Sequence, residues 1–473
     1  MKHLDISTQL IKFIILLSFL ISGVLPVAAD ELDDLKKQVE ILAKRIEQLE
    51  KERDLAAQIN TKQTPVNSGA PLVQNTVDTQ TAPDKRVITE GDIPLSIKIP
   101  ESNTSIRVHG LAQGNFIYDF AGRPTSRGGD SAGIATTPLN DSPEYNMGGD
   151  ARLGARDTRL GVQTYTPTKY GPFKTMVEGD FNGPPNDKGS RATTSRTAFT
   201  LRHAYGELGG FLMGQTYTNY MDLSAFTEKL DGAGPIGRTF MRQGQIRYTH
   251  TFDKYSRFAI AIENPRGDFI EANDDTLDDS MPELTANYRY QTNRWHTQFS
   301  GMLRRLGVDD GGENGTFGGV NDNAMGWALQ NSGTYFIGET RDRFSWYLQF
   351  GDGMGRYVES GADQGASITR EGTLDRQFTY GGFISFRHWW TETLRSNIDF
   401  GMMRHDLNPL DEAMFPEIER NMNRNIYSSH SNIIWSPIDR VSVGVEYIWG
   451  NREVHDGRTG NVRRFQLTSI YDF

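Results

Sequence analysis

The sequence predicts an all-β fold: a 16-stranded antiparallel transmembrane β-barrel with a short N-terminal α-helical coiled coil. Three observations carry this reading. From residue 104 onward, apolar and polar residues alternate with period 2. The connections between the alternating runs are short and long by turns. The last run places Phe465, Leu467, Tyr471 and Phe473 on one face and ends on an aromatic residue.

Composition limits the alternatives. The chain has 473 residues, 49 glycines, no cysteine and a formal net charge of −10. Without cysteine there is no disulfide framework and no thiolate metal centre. The acidic balance argues against nucleic acid as a partner, because phosphate binding needs a basic surface. By soluble-protein priors this length would suggest two or three domains. The glycine and aromatic content points instead to one large β structure.

Residues 1–29 read as a secretory signal. Lys2 and Lys12 flank the start of the chain, Phe13–Val27 is an apolar run, and Val27-Ala28-Ala29 supplies small residues for cleavage after Ala29. The run is short for a membrane-spanning helix, which needs roughly 20 residues.

Residues 30–59 read as a periplasmic coiled coil. Leu32, Val39 and Ile46 occupy a positions, and Leu35, Leu42 and Leu49 occupy d positions. Three heptads alone are marginal in water, so the pattern implies partner chains. β-Branched a residues with Leu at d lean towards two strands. Arg45-Ile46-Glu47-Gln48-Leu49-Glu50 instead resembles the Arg-h-x-x-h-Glu motif of trimeric coiled coils, in which the arginine reaches a neighbour's glutamate. A trimer is the expectation. Residues 60–103, rich in Thr, Pro, Gln, Asn and Ser, read as a flexible linker, with a short edge strand or turn within Pro94–Pro100.

Residues 104–473 form the barrel. In the first run Ile106, Val108, Gly110, Ala112, Gly114, Phe116, Tyr118 and Phe120 alternate with Arg107, His109, Leu111, Gln113, Asn115, Ile117 and Asp119. Sixteen such runs have cores near 105–119, 154–165, 173–181, 197–207, 211–217, 243–252, 257–263, 283–290, 295–304, 325–336, 343–350, 378–389, 395–403, 425–435, 440–449 and 463–473. Long connections, such as 121–150, 218–242, 351–377 and 450–462, alternate with short ones such as 208–210 and 436–439. Short turns at one rim and long loops at the other are the rhythm of a bacterial outer-membrane barrel. Hydrocarbon offers no hydrogen bonds, so the spanning backbone must pair internally, as a helix or a closed barrel does. A barrel needs only a thin apolar outer band, which is compatible with 23% charged residues. The aromatic C-terminal strand resembles the sorting signal read by the outer-membrane assembly machinery, an expected partner together with membrane lipid and lipopolysaccharide.

Several segments resemble the DcaP-like family of trimeric outer-membrane porins. They are residues 105–119 (SIRVHGLAQGNFIYD), 155–167 (ARDTRLGVQTYTP), 173–181 (FKTMVEGDF), 201–222 (LRHAYGELGGFLMGQTYTNYMD), 351–357 (GDGMGRY), 431–453 (SNIIWSPIDRVSVGVEYIWGNRE) and 463–473 (RRFQLTSIYDF). Their order runs through the whole barrel region, and a coiled coil ahead of the barrel is a habit of the family. The resemblance implies a sixteen-stranded homotrimer that passes small anionic solutes, dicarboxylates among them.

If the apolar parity faces lipid, the other parity lines the channel. This assigns Arg107, His109, Arg159, Glu178, Asp180, Arg247, Glu263, Arg289, Arg304, Glu446 and Arg464 to the interior. Gln113, Asn115, Asp119, Lys174, Gln245, Arg257, Asn287, His296, Gln298, Gln349, Asp399 and Gln466 join them. Arg202 is placed inside beside Ala204 and Gly206, on a strand of ambiguous parity. Arginine stays charged and its fork pairs carboxylates bidentately. An arginine wall would therefore concentrate small anions; the competing reading is a ladder of Arg–carboxylate pairs that braces the wall. The third long loop, 218–242, is the expected constriction, with Tyr220, Asp222, Lys229, Asp231 and Arg238; the competing reading is an ordinary exposed loop.

No catalytic, metal or cofactor site is expected. Gly351-Asp352-Gly353-Met354-Gly355 precedes no helix of a βαβ unit. Asp274, Asp275, Asp278 and Asp279 lack the spacing of an EF-hand loop. Ser429 and His430 are adjacent and point to opposite faces of a strand. The rival to a porin is a structural barrel whose coiled coil tethers the membrane to peptidoglycan, with little transport.

Overall fold

Alternation at period 2 becomes a closed sheet. The structure is a computed structural model that describes residues 89–122, 130–183, 198–269, 277–312, 317–359, 361, 364–407 and 413–473. All of them fall within one compact unit, Pro83–Phe473. The segments expected to be a signal peptide (1–29) and a coiled coil (30–59) lie outside the described residues.

The barrel strands are β1 (Ser105–Ala121), β2 (Arg159–Thr166), β3 (Phe173–Asp180), β4 (Thr200–Leu208), β5 (Phe211–Tyr217), β6 (Arg242–Thr251), β7 (Ser256–Glu263) and β8 (Glu283–Gln291). They continue as β9 (Trp295–Asp309), β10 (Asn321–Phe336), β11 (Arg343–Asp352), β12 (Phe378–Trp389), β13 (Leu394–Asp406), β14 (Asn423–Ile438), β15 (Val441–Val454) and β16 (Thr459–Asp472). Each pairs antiparallel with the next. β16 closes on β1 through pairs such as Phe465↔Tyr118 and Leu467↔Phe116. The result is a closed 16-stranded antiparallel barrel.

The alternation separates two environments. Val108, Val177, Met213, Ile246, Leu284, Phe299, Leu348 and Ile398 are exposed on the outer face. Gln245, Glu263, Asn287, Gln298, Gln349, Asp399 and Gln466 on the opposite parity are buried. Placing the apolar set against hydrocarbon removes it from water, and placing the polar set inside keeps it solvated or paired.

Local departures have local causes. The run expected at 154–165 is two pieces. Asp150–Gly154 pairs with the upper part of β1 and β2 pairs with the lower part. Between them Arg156 turns inward and donates to the carbonyls of Phe181 and Gly183, at 3.3 and 2.8 Å. On β4 the register slips, with Glu178 opposite His203 but Gly179 opposite Leu201. This bulge buries Arg202 and His203 together, whereas Ala204 lies opposite exposed Val177. Arg202 therefore faces inward without Ala204 and Gly206. The long connection expected at 450–462 is mostly hairpin, because β15 and β16 remain paired out to Glu453↔Thr459. The two-residue β4–β5 turn needs Gly209, whose φ is +60°. Before the barrel, Thr89–Glu90 pairs with Ile97–Lys98, which in turn pairs with Ser105–Ile106.

Part of the interior is a packed core. Ile134, Tyr220, Ile236, Met354 and Tyr357 from loops meet Met302, Met403, Ile426 and Ile448 from the wall. These are inward positions of β9, β13, β14 and β15, so the loops fill one side of the barrel.

Candidate functional site: the inner wall and the third long loop

The segment between β5 and β6 runs inside the barrel. At its root Thr218 Oγ1 and the Asn219 N–H donate to the Glu263 carboxylate at 2.6 and 2.7 Å. Asn219 also accepts from Asn287 Nδ2 at 2.8 Å. Asp222 then receives Arg289 and His296 at 2.9 Å each and Ser332 Oγ at 2.8 Å. Phe226 packs against Tyr347 and Phe383. Glu228 pairs with Arg395. The N–H groups of Leu230 and Asp231 donate to Glu446 at 2.9 and 3.0 Å, and that of Ile236 donates to Ser428 Oγ at 2.9 Å. Arg238 pairs with Glu359, and Thr239 donates to Gln349 at 3.0 Å.

These contacts run across β7–β15, so the loop is fastened to one side of the wall. Tyr220, Asp222, Asp231 and Arg238 are all buried. Lys229 donates to the carbonyl of Asp231 at 3.1 Å and to that of Ala233. A cavity of about 290 Å³ remains between loop and wall. It is lined by Tyr217, Asp222, Arg247, Arg257, Asn287 and Arg289 among others.

The twelve wall residues singled out from sequence all lie on inward-facing positions, in two electrostatic classes. The first is braced. Arg202 bonds Glu178 at 2.9 Å and Asp180 at 2.5 Å, with His109 3.7 Å from Glu178. Arg289 bonds Asp222 at 2.9 Å. Arg304, fully buried, bonds Asp268 at 2.9 Å and Glu283 at 3.0 Å. Arg464 bonds Asp119 at 2.6 Å and approaches Asp231 at 3.6 Å. Glu446 and Glu263 hold the loop.

The second class is unpaired. Arg107, Arg159 and Arg247, with Arg257 beside them, carry no ion pair to a carboxylate among the described residues. They are half-buried or, for Arg257, exposed. The Nε atoms of Arg107 and Arg159 are shielded and lack a hydrogen-bond acceptor. All four stand on β1, β2, β6 and β7. The loop's hydrogen bonds to wall strands begin at β7 and run round the other side, so Arg107 and Arg159 sit on the part of the wall it leaves uncovered, while Arg247 and Arg257 line the cavity between loop and wall.

Some interior groups were not singled out. Glu283 lies directly opposite Glu263. It is bonded by Arg356 at 2.7 Å and by the Tyr357 hydroxyl at 2.6 Å. Its parity with Asn287 and Arg289 is the signal that would have found it. Glu359, Asp268 and Asp130 sit in loops, where no parity rule applies. Asp278, from the acidic loop, pairs with Arg305 at 2.6 Å; Asp274 and Asp275 lie outside the described residues. The residues expected to form the coiled-coil seam, Leu32, Leu35, Val39, Leu42, Arg45, Ile46, Leu49 and Glu50, likewise lie outside them.

Comparison with known proteins agrees with this architecture. A solved structure of the outer membrane channel DcaP of Acinetobacter baumannii superimposes with a TM-score of 0.66, covering 78% of this chain and 98% of that one at 19% identity. An anion-selective porin from Comamonas acidovorans covers 78% of this chain and 100% of its own, with a TM-score of 0.50 at 11% identity. Among curated proteins, porin Omp2a of Brucella melitensis biotype 1 is 25% identical over 197 residues, 41% of this chain and 50% of that protein. The chain thus spans about half the length of the curated relatives it matches. The DcaP outer membrane protein family matches residues 74–473. The barrel, its inward loop and this match together identify the chain as a member of the DcaP outer membrane protein family, a family of outer-membrane porins.

Proposed function

We propose that this protein is a homotrimeric channel for passive diffusion of small hydrophilic solutes, with preference for small anions such as dicarboxylates. The observation that carries the preference is the unpaired class of arginines. Arg107, Arg159, Arg247 and Arg257 face the interior without an ion pair to a described carboxylate, while the other wall arginines are bound into the frame. A guanidinium in a constricted, low-dielectric passage attracts anions and offers a fork that fits a carboxylate. The residues of 218–242 act as the constriction, held in place by Glu263, Asp222 and Glu446. The wall residues named from sequence then divide into selectivity groups (Arg107, Arg159, Arg247) and braces (Arg202, Arg289, Arg304, Arg464).

In this reading residues 1–29 are removed on export, residues 30–59 trimerise in the periplasm, and 60–103 join them to the barrel. The resemblance of Arg45–Glu50 to trimeric coiled coils supports the trimer. The selectivity of the Comamonas acidovorans porin is consistent with an anion preference here. Ion selectivity of the purified protein in planar bilayers tests the proposal; a cation-leaning reversal potential would remove the anion preference.

A second reading is favoured by one observation, the packed loop core that fills part of the interior. A barrel closed by that core would serve as a structural element tethered to peptidoglycan. It predicts stable oligomers without measurable conductance.

A further inference from the structure

We propose that a groove on the outer wall, at the long-loop end of β15, β16 and β1, binds the phosphorylated sugar headgroup of an outer-leaflet lipid, the lipid A portion of lipopolysaccharide. The groove holds about 430 Å³ and is walled by Phe120, Tyr145, Met147, Trp449, Asn461 and Arg463, among others. It is separate from the channel. Val462 and Arg464 point inward and are buried, so Arg463 between them points outward. Its cross-strand partners are Trp449 and Ala121.

Charge picks out this position. Among the described residues, three other arginines at this rim are neutralised by the protein itself. Arg305 bonds Asp278 at 2.6 Å, Arg376 bonds Asp352 at 3.1 Å, and Arg404 bonds Asp406 at 2.7 Å. Arg463 is exposed and has no carboxylate partner among the described residues. A lone guanidinium beside Trp449 and Phe120, at the level of the interfacial aromatics, lacks only an anion. A phosphate supplies it with paired charge-assisted hydrogen bonds. The rest of the groove suits an amphipathic ligand. Tyr145 accepts a hydrogen bond from Asn461 Nδ2 at 3.0 Å, which leaves its own hydroxyl proton to donate to a sugar or phosphate oxygen. Met147 and Trp449 present apolar surface where the sugar meets its acyl chains. The inference rests on the long loops facing the cell exterior, where the lipid of the outer leaflet lies.

The test is a titration of the purified full-length protein in detergent micelles with bis-phosphorylated lipid A, read by native mass spectrometry. Arg463→Gln should weaken binding about tenfold, the loss expected for one charge-assisted contact. Arg463→Lys should retain binding to within about twofold, since the charge remains. Arg305→Gln, at a residue already satisfied by Asp278, should leave it unchanged. Lipid A stripped of both phosphates should bind the unaltered protein no better than intact lipid A binds Arg463→Gln, a comparison that stands even if that variant folds poorly. Equal affinity of the glutamine variant and the parent for intact lipid A would overturn the proposal. So would loss of the oligomer with lipid binding unchanged, which would mean that a second copy of the chain covers this face.

Discussion

Removing the charge of Arg107 and Arg247 together should cut the ratio of anion to cation permeability about eightfold. The estimate uses their unpaired state. Neither guanidinium forms an ion pair with a described carboxylate, although Glu263 and Glu207 act on Arg247 at longer range; treating each as a full charge sets the upper end of the effect. At roughly 7 Å, an assumed distance between wall and permeating ion, one charge in water is worth about 0.6 kcal/mol. Screening at 0.1 M salt leaves about half of that, about 0.3 kcal/mol. Each substitution removes this attraction for the anion and the equal repulsion of the cation. Two substitutions therefore shift the ratio by about 1.2 kcal/mol, or about eightfold. The assay is the reversal potential of Arg107→Gln/Arg247→Gln channels in a KCl gradient. Arg107→Lys/Arg247→Lys keeps the charge and should retain the parent value. An unchanged reversal potential in the glutamine variant would refute the reasoning, because it would mean that the ion path does not pass these residues.

Three further outcomes follow from the same geometry. Asp222→Ala should shift selectivity the other way, towards anions, by freeing Arg289, and should lower barrel stability by about 3–5 kcal/mol because a buried partner is stranded; reversal potential and urea midpoint report the two effects, and a cation-leaning shift would contradict the assignment. Glu446→Ala removes the acceptor of the Leu230 and Asp231 N–H groups and of Asn432 Nδ2, so the loop should loosen at a cost of roughly 3 kcal/mol and single-channel conductance should rise; unaltered conductance would show that the loop does not limit the passage. Burial, with Arg424 adding, pulls His455 in the β15–β16 turn down to about 4. The unfolded imidazole takes up its proton near pH 6.5. Stability from this group is therefore present above pH 6.5 and lost as pH falls towards 4. His455→Gln should flatten that part of the urea-midpoint profile, and a profile as steep as the parent's would assign the dependence elsewhere.

The strands were legible because the physics that forms them acts locally. A spanning strand must alternate, so Phe378–Trp389 could be located from composition along the chain alone. Parity then assigned Glu446 and Arg464 to the interior without any knowledge of their partners. Parity reached its limit at Arg202, where a bulge puts two consecutive residues on the same face. A bulge leaves no mark in the hydrophobic pattern, since Arg202 and His203 are both polar. The hairpin at 455–458 was hidden for the opposite reason. Above the membrane the strands have no apolar face to show, and Asn451 and Asn461 pair as polar residues do in a loop.

The distinction between braced and unpaired arginines could not be read from the chain. Arg289 and Arg247 have the same parity and similar neighbours in sequence. What separates them is Asp222, which arrives from a loop by tertiary packing. Likewise Arg304 is fixed by Asp268 and Glu283, one from a loop and one from the adjacent strand. The inward course of 218–242 was anticipated from its place as the third long loop, but its anchors at Glu263, Glu446 and Gln349 depend on contacts between residues far apart in the sequence.

The most direct test of the channel account is single-channel recording of the purified protein in planar bilayers, with the reversal potential measured in a KCl gradient and again after adding succinate. The account predicts closure in three steps, an anion-leaning reversal potential and a reduction of chloride current by succinate. Open channels with a cation-leaning potential would contradict the role given to the unpaired arginines, and folded oligomers without conductance would contradict the channel itself.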